Sequence, residues 1–167
     1  SLREHGSWCG ETHIQKASYF LNEFAGQPLP FTYTLYKHGP YSFDLCDKLT
    51  EMRANGFLAL EFQQPPYGPR YTCTSTGKEN AKRFPITTKR LNTPITRVAA
   101  FFRDRGVGEL ERLATALYVI KTEQDKSEED WVKMIHKLKP HIQESSAESA
   151  IQEVLNLCRD TREFSGV

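Results

Sequence analysis

The stretch that decides the fold is residues 57–74, FLALEFQQPPYGPRYTCT. Its two ends, FLALEF and RYTCT, are rich in aromatic, aliphatic and β-branched residues, which favour strands. The segment PPYGP between them is a stiff turn, because proline fixes φ and glycine permits a reversal of the chain. The stretch therefore predicts a β-hairpin with strands over residues 57–62 and 70–74.

Upstream of the hairpin, residues 12–24 have helical periodicity. Thr12 and Gln15 have the spacing of a capping box, in which each side chain bonds the backbone of the other's position. Gly26 and Pro28 follow the last apolar position and predict the end of this helix.

A short strand and a second helix are predicted between the first helix and the hairpin. Residues 31–36, FTYTLY, favour a strand that Gly39-Pro40 would end. A helix over residues 41–55 follows, with Gly56 as a left-handed C-terminal cap. The order helix, small strand, helix and hairpin is typical of a winged-helix domain.

The rest of the chain predicts helices that begin at polar capping signals. They begin at Thr76, at Thr93 before Pro94, at residue 108, at Ser127 and at Ser145. Trp131, Ile135 and Leu138 predict the inner face of the helix after Ser127. We therefore expect a mainly α fold with a small β-hairpin: a winged-helix domain over residues 1–85 and a helical C-terminal extension over residues 86–167, packed on it or forming one compact unit with it.

Composition and cysteine spacing bear on the class of protein. The hydrophobic fraction is 38% and the charged fraction 26%, which is ordinary for a globular domain. No apolar run is long enough to cross a bilayer, and residues 1–5 are too charged for a signal peptide, so we expect a cytoplasmic protein without a membrane partner. None of the four cysteines is spaced for zinc, and Cys46 and Cys158 predict buried free thiols.

Net positive charge is concentrated in the middle of the chain. Residues 61–100 carry seven Lys/Arg against two Asp/Glu, a net of +5, whereas both flanks are acidic. Such a segment can bind nucleic acid or can be a solvated linker, and the sequence leaves both open. If it binds nucleic acid, the predicted hairpin, which is the wing of a winged-helix domain, and the basic residues of 70–97 would contribute. The candidate residues are Arg70, Lys78, Lys82, Lys89 and Arg90.

The helix over residues 41–55 is a poor DNA reader because its outward positions carry three acids against two bases. Aromatic residues beside such acids are typical of a protein interface. The candidate partner-binding residues are Tyr36, His38, Tyr41, Asp44, Asp47 and Glu51. The segment Gly39-Pro40-Tyr41-Ser42 can be part of this recognition surface or the N-terminal cap of the helix.

Motifs for catalysis are absent. The chain has no Gly-x-Ser-x-Gly, no glycine-rich phosphate loop and no His-Glu-x-x-His, so we expect neither an enzyme nor a cofactor. His136 and His141 do not share a helix face, and no metal site is predicted there. His13 lies beside Gln15 and Lys16, which predicts a solvated histidine.

Several of these segments resemble the bacterial YwgA-like proteins, relatives of the SocA-like, or Panacea, antitoxin domains. The resemblance covers most of the chain and rests on residues 12–21 (THIQKASYFL), 36–42 (YKHGPYS), 49–58, 113–118 (LATALY), Trp131 and 138–140 (LKP). It implies a non-enzymatic scaffold used for protein contact or regulation, for example as an antitoxin or adaptor in a defence or stress system. We accordingly expect a protein partner, with nucleic acid as the alternative and a homodimer as an option.

Overall fold

The computed structural model describes residues 1–24, 29–65 and 67–163, with the backbone alone for residues 160–163. A single 3-10 turn, Arg3–His5, precedes the first helix. The elements that follow are α1 (Glu11–Phe24), β1 (Thr34–Tyr36), β2 (Gly39–Tyr41), α2 (Phe43–Ala54), β3 (Leu58–Glu61), β4 (Arg70–Cys73), α3 (Ser75–Lys82), α4 (Pro85–Phe101), α5 (Val107–Thr122), α6 (Glu128–Leu138) and α7 (Glu144–Glu163). The mainly helical fold with a small β-hairpin is confirmed. Gly26, Pro28 and Pro66, which we used to predict a helix end and a turn, lie outside the described residues.

The predicted hairpin is present as β3 and β4. The two strands are antiparallel, with Leu58 opposite Cys73 and Glu61 opposite Arg70. Tyr71 on β4 is buried against Leu45 and Leu49 of α2, and partly buried residues of β3 pack on the same cluster. The alternation of side chains along each strand places one face of the hairpin on this small core.

The helix predicted over residues 41–55 is present as α2, which begins two residues later and ends one residue earlier. Ser42 caps its N-terminus, where the hydroxyl accepts a hydrogen bond from the backbone N–H of Leu45 at 3.2 Å. Gly56 follows the C-terminus with φ of 71°, the left-handed conformation that glycine adopts without steric cost. Cys46 and Cys158 are only half-buried, so the prediction that both thiols are buried is wrong.

The strand prediction before α2 needs correction. Only Thr34–Tyr36 of the predicted residues 31–36 form β1. Gly39-Pro40, predicted to end the strand, and Tyr41, predicted to begin the second helix, form β2 beside it. Proline is tolerated in β2 because a sheet of two strands leaves one edge of each strand without a backbone partner.

Three predicted helix starts are also wrong. Thr74, not Thr76, caps α3, since its Oγ1 accepts from the N–H of Gly77 at 3.0 Å. Helix α4 begins at Pro85 and continues through Pro94 to Phe101. Proline is pre-organised for the first helical turn, and Pro85 takes that position. Helix α7 begins at Glu144, so Ser145 is already helical.

The first of two compact units comprises residues 1–34 and 41–105, and the predicted boundary at residue 85 lies within it. Its larger core lies between α1 and α4, where Phe20 and Phe102 are fully buried and their ring centroids are 5.2 Å apart.

The second unit comprises residues 35–40 and 106–167. Its core joins α5, α6 and α7 through fully buried aliphatic residues, among them Leu110, Leu117, Ile135 and Val154. Leu138, predicted on the inner face of α6, is 39% exposed.

No helix among the described residues is both long enough and apolar enough to cross a membrane.

Candidate functional site

The segment Gly39–Ser42 is held by a pair of hydrogen bonds from α1. The side-chain Nε2 of Gln15 donates to the carbonyl oxygen of Ser42 at 2.8 Å, and its Oε1 accepts from the N–H of Ser42 at 2.9 Å. Gln15 is fully buried, so these bonds satisfy its amide where water cannot. The predicted capping box of Thr12 and Gln15 is therefore wrong: Gln15 fixes the start of α2 instead.

Tyr41 lies immediately before this cap and is half-buried. Its hydroxyl donates to Oε1 of Glu11 at 2.8 Å, and its ring meets the ring of Phe43 edge to face at 5.1 Å. Burial raises the pKa of the Tyr41 phenol, and the Glu11 carboxylate raises it further, so the phenol stays protonated. Tyr41 is thus neither a full core residue nor an exposed ring.

Phe43, which was not among the predicted site residues, is the one aromatic residue of α2, and it is exposed. Its relative exposure is 58% at the first helical position. Leu45 and Leu49 mark the buried side of the helix, and helical periodicity places residue 43 outside that apolar stripe. The exposure of Phe43 could therefore have been predicted from the sequence.

The acids of α2 lie on its solvent side, as predicted. Asp44, Asp47 and Glu51 are exposed and follow one another at helical spacing. Glu51 pairs with Lys48 at 2.8 Å, and Asp44 accepts a long hydrogen bond from Thr32 at 3.4 Å. We call the surface formed by Phe43, Asp44, Asp47 and Glu51 the α2 face.

The two remaining candidate residues, Tyr36 and His38, belong to the second unit. Tyr36 is 56% exposed. His38 is also exposed, and its Nδ1 lies 3.3 Å from Oε2 of Glu111. The six candidates are thus divided between the two units, four on the first and two on the second.

Glu111 is the centre of a polar cluster that the sequence analysis missed. Its carboxylate is buried, and its Oε1 lies 3.2 Å from Nε2 of His141 and 3.8 Å from Nζ of Lys139. Lys139 is buried as well. We call Glu111, His38, His141 and Lys139 the Glu111 cluster.

Lys139 connects this cluster to the turn between β1 and β2. Its Nζ donates to the carbonyl oxygens of Tyr36 and Lys37, each at 2.6 Å. A buried ammonium is stable only when it is paired and hydrogen-bonded, and here one carboxylate and two carbonyls surround it. The cluster therefore fixes the backbone that carries Tyr36.

The burial of His13 on α1 contradicts the prediction that this histidine is solvated. His13 was predicted to be solvated, but it is 4% exposed, and the neighbouring Lys16 is also buried. Burial lowers the pKa of His13 because the charged imidazolium loses its hydration, so the ring is neutral at pH 7.

Within the residues the structure describes, no three His, Cys, Asp or Glu side chains are placed to hold a metal ion together. His136 and His141 serve separate contacts: Nδ1 of His136 lies 2.9 Å from the carbonyl oxygen of Ile142, and His141 faces Glu111.

The candidate nucleic-acid residues have two different environments. Arg70 is held on β4: its Nε donates to Glu61 at 2.8 Å, and its guanidinium lies 5.4 Å from the centre of the Trp8 ring. By contrast, the others lie on exposed parts of α3 and α4: Lys78, Lys82, Lys89 and Arg90. These four side chains are accessible to a ligand.

Comparison with protein-family models and with curated proteins finds no match to this chain.

Proposed function

We propose that this chain is a non-enzymatic winged-helix module of the YwgA-like type that binds a protein partner through the α2 face. The observation that carries the proposal is the exposure of Phe43 at the head of an acidic helix. An exposed aromatic ring surrounded by charge is typical of a binding surface, where the ring supplies contact area and the polar rim supplies specificity.

The surroundings of Phe43 support a prearranged contact. Its ring rests edge-on against Tyr41, whose hydroxyl is held by Glu11 at 2.8 Å. The backbone of the preceding Ser42 is fixed by Gln15. A ring whose supports are already ordered loses less conformational entropy on binding.

The charge of the α2 face defines the kind of partner. Asp44, Asp47 and Glu51 are exposed and outnumber the two cations of the helix, of which Lys48 is paired with Glu51. Such a helix repels phosphates and attracts a basic protein surface, which also has to offer a pocket for the Phe43 ring. An antitoxin-like or adaptor role in a defence or stress system agrees with this charge and with the resemblance to YwgA-like proteins.

Affinity purification from the native host, with nuclease treatment and quantitative mass spectrometry, tests the proposal. We expect a protein that co-purifies with the wild-type chain and is lost with Phe43→Ala and with Asp44→Lys/Asp47→Lys. Phe62→Ala is the matched control, because Phe62 is 80% exposed outside the α2 face.

The Kd for the purified partner measures how much each variant weakens binding. Loss of an aromatic residue that is a binding hot spot costs about 2 kcal/mol or more, so Phe43→Ala should raise the Kd about 30-fold, while Phe62→Ala leaves it unchanged. All three variants should melt as the wild type does, since these side chains are exposed. Equal capture by the wild type and both α2-face variants would contradict the proposal.

A further inference from the structure

Residues 81–90, from the end of α3 into α4, are exposed at every position. Two of them are large apolar residues: Phe84 is 57% exposed and Ile86 is 85% exposed. Exposed apolar side chains grouped in this way commonly mark a binding surface.

The same part of the chain is strongly basic. Residues 78–90, which we call the basic segment, carry one acid, Glu79, and five cations, all of them exposed: Lys78, Lys82, Arg83, Lys89 and Arg90. Lys82 pairs with Glu79 at 2.6 Å, but both side chains are about 70% exposed. A pair this exposed contributes little and exchanges readily for a stronger anion.

We propose that the basic segment binds the phosphate backbone of nucleic acid without reading sequence, and prefers single strands. This surface is distinct from the α2 face, so the proposal goes beyond the binding of a protein partner. Five exposed cations match a chain of phosphates, and the arginines can grip phosphate oxygens with two donors each.

Phe84 is the basis for the preference for single strands. An exposed aromatic ring among cations can stack on an unpaired base, whereas the bases of a duplex are already stacked on one another. Ile86, two residues later, extends the apolar surface beside the ring. The wing does not contribute, because the guanidinium of Arg70 is held by Glu61.

Fluorescence anisotropy of the full chain with a labelled thymine 20-mer, and with a duplex of the same length, tests the proposal. The charge variant is Lys89→Glu/Arg90→Glu. The control, Lys126→Glu/Lys137→Glu, makes the same change of net charge at two exposed lysines of the second unit. Thermal melting should be equal for all of them.

We expect the charge variant to weaken single-strand binding about tenfold or more and the control by less than about twofold, because only the basic segment contacts phosphate. A plot of the logarithm of the binding constant against the logarithm of the salt concentration falls by about 0.7 for each phosphate that is neutralised. Its slope should therefore be no steeper than about −3.5 for the wild type, with five cations, and about 1.4 units shallower in the charge variant, which loses two. Phe84→Ala should weaken single-strand binding about fivefold and leave duplex binding unchanged.

Three results would overturn the inference: no binding by the wild type at 50 mM salt, equal weakening by the control, or a Phe84→Ala variant that binds single strands normally. A fourth such result would be binding to phosphatidylserine vesicles in the absence of binding to oligonucleotides. If the vesicle binding depended on Phe84 and Ile86, the basic segment would be assigned to an anionic membrane surface.

Discussion

Replacing Lys139 with methionine removes the ammonium at the Glu111 cluster while keeping a side chain of similar length. The wild-type Nζ donates to two carbonyl oxygens at 2.6 Å and lies 3.8 Å from the Glu111 carboxylate. Both side chains are buried, so water does not readily take the place of the ammonium.

The expected loss of unfolding free energy is about 3–5 kcal/mol, the cost of removing one partner from a buried ion pair. Two charge-assisted hydrogen bonds, at about 1.5–3 kcal/mol each, give an overlapping range of about 3–6 kcal/mol. Since domains are stable by only about 5–15 kcal/mol, the Lys139→Met variant should be markedly weakened.

Urea denaturation, followed by far-UV circular dichroism and by tryptophan fluorescence, measures this loss. Lys137→Met, two residues earlier in the last turn of α6, is the control, because Lys137 is exposed and should change stability by less than about 0.5 kcal/mol. The double variant Glu111→Gln/Lys139→Met should lose less than the sum of the two single variants, since it removes the stranded charge. A loss below about 1 kcal/mol for Lys139→Met, or full additivity, would refute the reasoning.

Two further predictions concern the first unit. Burial lowers the pKa of His13 in the folded chain, so the unfolded chain binds the proton more tightly, and stability should fall as the pH drops below about 6.5. The melting temperature of His13→Gln should depend less on pH in this range. An unchanged pH dependence in the variant would contradict the burial of a neutral His13. In Gly77→Ala the added Cβ would clash with the carbonyl oxygen of Phe57, whereas at Gly108 in α5 it meets nothing within 4 Å. Gly77→Ala should therefore destabilise the chain, while Gly108→Ala should stabilise it by up to about 1 kcal/mol, and the same sign for both would be evidence against the tight packing of α3 on the hairpin.

Elements with strong local signals were predictable from the sequence. The hairpin, the left-handed glycine that follows α2 and the Ser127 cap at the start of α6 depend on residues within a few positions of one another. Their hydrogen bonds and dihedral preferences form wherever the surrounding chain permits them. The exposure of the α2 acids follows equally from the spacing of Leu45 and Leu49.

Local patterns failed where a side chain had a better partner elsewhere. Gln15 has the spacing of a capping residue but bonds Ser42, and Thr93-Pro94 resembles a helix start but lies inside α4. A capping signal is worth only about 1 kcal/mol, so tertiary packing readily overrides it.

The sequence by itself determined the helices, the hairpin, the acidic α2 face and the basic segment, because these depend on residue type and on short spacings. Only the tertiary structure decided how buried polar side chains are used. Glu111 meets His38 across 73 positions of the chain, and Lys139 reaches Tyr36 across 103. A buried charge must find its partner wherever the fold brings one near, and no local periodicity carries that information.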